Sequence, residues 1–165
     1  MGQDGRAFRA QLAVPEQRQL YDYWVAQARG ESMPARSDIN PIDIPRMLPG
    51  ISLVEVASDI SLSRVRLAGT RLRDIFEREI TGLTLRDLDW ADKHAYWMAA
   101  FQRTIGKGVP TQGIVKGPRV QKEHLVQYWL RLPLRTSGKG VGMVLCYDHF
   151  LTASDRLDDG LAHIA

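Results

Sequence analysis

The chain has 165 residues, 44% of them apolar and 25% charged, a balance that suits one compact globule with a single sizeable core and excludes fibrous or disordered classes. No apolar run approaches the ~20 residues that cross a bilayer, and MGQDGRAFRA has no secretory apolar core and carries Arg6 where a myristoylation signal needs Ser or Thr, so the expectation is a cytoplasmic protein without a membrane partner. The net charge of +3 is spread over mixed faces, with Arg71, Arg73 and Arg78 interleaved with Asp74, Glu77 and Glu79 and no helix-turn-helix, zinc-finger or aromatic RNA-binding signature, so no nucleic-acid partner is expected.

The first predicted element is a helix from about Pro15 to Arg29, with Pro15 at its first position, Leu20, Trp24 and Ala28 at helical spacing, and Gly30 as its stop. Leu20, Tyr23 and Trp24 form an apolar stripe that must be covered, either by the outer face of the chain's own sheet or by a second copy; a homodimer through these three residues is expected. Pro34, Pro41, Pro45 and Pro49 then impose an irregular path, so residues 1–50 read as a helix with a proline-rich lead-in. Ile51–Val56 and Arg64–Gly69 read as a hairpin-like pair of strands.

Arg64 to Leu85, RVRLAGTRLRDIFEREITGLTL, is the most informative stretch. A period-two strand ends on Gly69, which permits a tight bend, and Thr70 is placed to cap the short helix RLRDIF with its hydroxyl. Gly82 allows a second reversal before Thr84, whose spacing to Asp87 suits another cap. A longer helix opens at Asp89 or Asp92 and runs to about Ile105, with Trp97, Phe101 and Ile105 on one stripe. Three strands follow at about Thr111–Gly117, Leu125–Leu134 and Val141–Phe150, giving a core over residues 51–152. In the middle one Val126, Tyr128, Leu130, Leu132 and Leu134 share a face, while Gln127, Trp129 and Arg131 share the other. Residues 153–165 read as a weakly helical tail.

No nucleophile elbow, phosphate-cradling glycine loop or pair of carboxylates suited to acid-base work is present, so no enzymatic turnover is expected. His94, His124, His149 and His163 are dispersed without metal-ligand spacing, and Cys146 is the single cysteine, so neither a metal site nor a disulfide is expected.

The order of elements resembles a PAS sensor domain: α+β, a five-stranded antiparallel sheet with small helices and one longer helix on one face, preceded by an N-terminal helix. The wording YDYWVAQARGESMPARSDINPIDIPRMLPGISLVEV, with RLAGTRL and REITG after it, resembles the stand-alone PAS family of alphaproteobacteria. That family usually has glycine where Glu77 stands, which puts the local backbone in question. The resemblance implies a bacterial sensory module that binds a small molecule between the long helix and the sheet and signals through a protein partner. Arg66, Thr70, Trp90, Trp97, Phe101, Tyr128 and Tyr147 are the candidate ligand-binding residues, with Trp97, Phe101 and Tyr128 expected to meet, and Arg66 facing inward or outward. Haem-binding PAS domains offer an axial histidine from the long helix; His94, in its first turn after two aspartates, is expected to face water. A photoreactive flavin is disfavoured because Cys146 lies on the last strand, so no cofactor is expected. The alternative functions are a ligand-free dimerisation or adaptor domain and, behind it, a haem-binding gas or redox sensor using His94.

Overall fold

The computed structural model describes residues 2–152 and 154–155; the expected helical tail over 153–165 lies otherwise outside the described residues. Four helices, α1 (Gln3–Ala10), α2 (Pro15–Ala28), α3 (Thr70–Phe76) and α4 (His94–Lys107), accompany five strands, β1 (Ile51–Glu55), β2 (Arg64–Ala68), β3 (Thr111–Lys116), β4 (Leu125–Arg135) and β5 (Val141–Thr152). All pairings are antiparallel in the order β2-β1-β5-β4-β3, as the α+β reading anticipates.

Strand length decides where this sheet is open. β3 ends its pairing with β4 at Thr111, opposite Arg131, so Pro133 faces only β5 and its missing N–H breaks no second ladder. At the other end β1 begins at Ile51, opposite Tyr147, while β5 continues to Thr152. Beyond Tyr147, β5 therefore has a strand neighbour on one side only.

The opposite faces of β4 belong to separate cores. Leu130, Leu132 and Leu134 join Leu53, Met143 and Leu145 beneath α2, together with Leu20, Tyr21 and Trp24. Trp129 points the other way and packs with Val54, Val144 and Cys146 beneath Trp97 and Phe101 of α4. The proline-rich lead-in closes the first core with Met33, Ile39, Ile44 and Met47, and the Arg135 N–H donates to the Pro34 carbonyl at 2.9 Å.

Two residues of the stripe on α2, Leu20 and Trp24, are buried within the chain itself. Leu20 is fully buried, and the Trp24 indole donates to the Pro133 carbonyl at 2.9 Å. Tyr23 is half-buried; its hydroxyl accepts from the Asn40 N–H at 2.9 Å and donates to Asp43 at 2.8 Å. Of the two covers open to this stripe, its own sheet supplies the one seen.

Local chemistry differs from expectation at three caps: at Thr70, at the start of the long helix, and at Thr84, which holds the cap position but whose hydroxyl donates to Asp87 at 2.8 Å rather than capping the turn. Gly69, not Thr70, occupies the cap position of α3, and the Thr70 hydroxyl makes no capping bond. The glycine is required for a different reason: a Cβ there would strike the carbonyl groups of Leu48 and Pro49. The long helix opens at His94 rather than at an aspartate, after a tight turn at Ala91–Lys93, and Asp89 accepts from the Ala91 N–H at 3.2 Å. Glu77, where the resembling family has glycine, ends α3 in the left-handed region with φ of 56°. The sequence departs from glycine while the backbone keeps a conformation that favours it.

Candidate functional site

The cavity beneath α4 has a volume of about 40 Å³. Its apolar wall comes from α3, the turns before α4, and α4 itself, chiefly Leu72, Phe76, Leu85, Trp90, Trp97 and Phe101. Its floor comes from the sheet, where Val54 and Val65 flank a polar group of Ser52, Gln127, Arg131, Cys146 and Asp148. A sheet face that otherwise carries Val54, Val115 and Trp129 has thus given its centre to hydrogen-bonding groups.

Arg131 organises that floor. Only 5% of the residue is exposed, and its Nη2 donates to Asp148 Oδ1 at 3.0 Å; Asp148 is 3% exposed. The same carboxylate oxygen accepts from Gln127 Nε2 at 2.7 Å. Arg131 Nη1 donates to the Leu130 carbonyl at 3.1 Å. Three rings surround the guanidinium, with Trp97 at 5.0 Å, Trp129 at 5.5 Å and Phe101 at 5.6 Å from Cζ to centroid, a geometry in which the ring faces attract the cation. Burial is the largest influence and works against the charge, but the Asp148 carboxylate, aided by Cys146 and Tyr96, holds the guanidinium pKa above its ordinary value. One donor is left over. Arg131 Nε is buried with no hydrogen-bond partner among the described residues, and such an orphan costs about 1–3 kcal/mol.

Trp129 is held by its neighbours on both sides. Its indole N–H donates to the Tyr96 hydroxyl at 2.8 Å, and it lies over Gly113 of β3, where a Cβ would come within 2.7 Å of the ring. Trp90 completes the aromatic wall, its ring 5.8 Å from Trp97 and 6.4 Å from Phe101.

The structure brings together three of the residues singled out from the sequence and separates four. Trp90, Trp97 and Phe101 line the cavity. Tyr128 and Tyr147 do not; they lie on the opposite face of the sheet, Tyr128 with Val14 and Val126 and Tyr147 in the core under α2. The meeting of Tyr128 with Trp97 and Phe101 is thereby corrected, because the α4-facing row of β4 is Gln127, Trp129 and Arg131. Arg66 is exposed on edge strand β2, and Thr70 is exposed at the start of α3. An inward strand arginine does exist, but it is Arg131. Its period-two relation to Gln127 and Trp129 was the available signal; the side of the sheet to which that row belongs was not.

His94 is exposed and stands beside Trp90 at 5.9 Å between ring centroids, outside the cavity lining, so its placement does not suit an axial haem ligand. Among the described residues no group of three or more histidine, cysteine or acidic side chains could hold a metal ion, and no helix is long and apolar enough to cross a membrane. Burial pushes the Cys146 thiol up to about 11 against the pull of Arg131, so at neutral pH it is the protonated thiol.

Several light-oxygen-voltage proteins share this fold. A domain from a flavin-analogue study of light-oxygen-voltage mechanism aligns at 11% identity over 74% of this chain and 90% of that one, with a TM-score of 0.53. The light state of the blue-light photoreceptor Aureochrome1 LOV aligns at 12% over 74% and 97%, with a TM-score of 0.50. An RNA-binding light-oxygen-voltage receptor aligns at 12% over 98% of this chain and 57% of that one, with a TM-score of 0.53. A search of curated proteins by sequence finds no match. The residues present here do not fit a flavin: ligand pockets run to roughly 300–1,000 Å³, whereas this cavity, lined by Trp90, Trp97 and Phe101, is about 40 Å³. The sheet order and the helix across the sheet accord with the PAS domain profile, whose match over residues 12–145 establishes that the chain belongs to the PAS domain family.

Proposed function

We propose that this chain is a non-enzymatic sensory or regulatory module that takes a compact small molecule in the cavity under α4 and transmits its state through protein contacts. The observation that carries this reading is the orphaned Nε–H of Arg131, buried at an aromatic-walled cavity. A ligand with one hydrogen-bond acceptor and a small apolar body satisfies that donor and gains contact with the rings. The net charge of the floor is already balanced by Asp148, which favours a neutral acceptor over a free anion. Because α4 rests on the ligand space through Trp97 and Phe101, occupancy bears directly on how that helix sits on the sheet.

One observation favours a second reading, a ligand-free adaptor: the cavity volume of about 40 Å³ holds little more than water. Native mass spectrometry of the full chain separates the two. Retained extra mass that is lost in a folded Arg131→Lys variant supports the sensor. No retained mass, together with no thermal stabilisation by a panel of small neutral carbonyl compounds, selects the adaptor.

A further inference from the structure

A larger cleft lies elsewhere, where β5 outruns β1. Because β1 starts opposite Tyr147, the flank of β5 over Asp148, His149 and Phe150 is left without a strand on that side. Pro49 and Gly50 approach there instead, and Gly50 sits so close that a Cβ would strike the Asp148 carbonyl. The space between this flank, the start of α2 and the start of α3 is a cleft of about 230 Å³.

Its charged lining is Arg46 and Arg71 with Glu16 as the one carboxylate, since the Asp148 side chain is turned to the other face toward Arg131. Neither Arg46 nor Arg71 has an ion-pair or hydrogen-bond partner among the described residues, and neither pairs with Glu16, although Arg9, Arg73, Arg86, Arg119 and Arg131 all pair with acids. Arg71 is steadied from the side: its Cζ lies 5.7 Å from the Phe150 ring centroid, which orders the guanidinium without using its N–H fork. The Tyr147 hydroxyl and His149 Nδ1, 3.1 Å apart, add hydrogen-bonding groups to the same wall. Two guanidiniums without acidic partners on the lining of one cleft suit a doubly charged oxyanion, which planar N–H pairs grip in bidentate fashion.

We infer that this cleft is a second binding site, separate from the cavity under α4, for the phosphate group of a small soluble molecule. Its back wall is the main chain of Asp148, whose carboxylate holds Arg131 on the opposite face. The site therefore shares one residue with the inner cavity.

The test is calorimetric titration of inorganic phosphate into the full chain, its Arg46→Gln and Arg71→Gln variants and the double variant, with Arg78→Gln, at an exposed residue outside the cleft, as a control that loses the same charge as each single variant. Saturable binding that weakens at least tenfold in the double variant and at raised salt, and is unchanged in Arg78→Gln, is the expected result. Equal affinity in the double variant, or equal loss in Arg78→Gln, overturns the site. Arg46 is exposed, so Arg46→Gln decides alone, on a threefold or greater loss, if the Arg71 variants fold poorly. Co-sedimentation with vesicles of phosphatidylcholine and phosphatidylserine by a chain that does not bind free phosphate also overturns it, in favour of a lipid headgroup.

Discussion

Arg131 and Asp148, on adjacent strands β4 and β5, pair at 3.0 Å with 5% and 3% of their surfaces exposed. A charge pair so fully withdrawn from water is stable only as a pair, because removing one member strands the other in a low-dielectric interior. Replacing Arg131 with Met, or Asp148 with Leu, is expected to cost about 3–5 kcal/mol each, and the double variant is expected to cost far less than the sum. A urea-unfolding double-mutant cycle measures this, and additive losses contradict the coupling.

Leu20 and Trp24 of the α2 stripe pack into the core of their own chain. Leu20→Ala is expected to lose about 2–5 kcal/mol of stability while the mass by light scattering stays that of wild type. A variant that keeps its stability but changes its assembly state would return Leu20 to the interface.

Glu77 holds a left-handed backbone at φ 56°. Glu77→Gly is therefore expected to stabilise the fold, by about 0.5–1 kcal/mol after the extra chain entropy of glycine is subtracted. Gly113→Ala is expected to do the reverse, since its Cβ meets the Trp129 ring at 2.7 Å. Thermal melts of the two variants should move in opposite directions.

Cys146 supplies a pH dependence whose sign follows from burial. Its folded pKa, pushed up to about 11, lies above the ~8.5 of an unfolded thiol. The unfolded chain therefore ionises first, and the contribution is intact below about pH 8.5 and lost as pH rises from there toward 11. Cys146→Ala should flatten the alkaline arm of the stability curve relative to wild type. In the native state the thiol should resist a disulfide reagent at pH 8; rapid modification without unfolding would show that the interior opens.

The sequence by itself determined the five strands and three of the four helices in their order, though not α1: the period-two runs of β2 and β4, the proline start of α2, the Trp97 and Phe101 stripe of α4, and the Gly82 reversal with its φ of 91° were all legible. These are local, because periodicity and turn chemistry act within a few residues. It also divided β4 correctly into a leucine row and an Arg131 row. Which row met α4 was decided only by the tertiary structure, since alternation says that two faces differ and not which layer covers each. The richly apolar Tyr128 row went beneath α2, and the row with an arginine went beneath α4, where Asp148 from a neighbouring strand and three rings from two elements make its charge tolerable. The cleft at Arg46 and Arg71 was likewise beyond sequence reading, because it arises from a difference in strand length between β1 and β5 that appears only once their register is set.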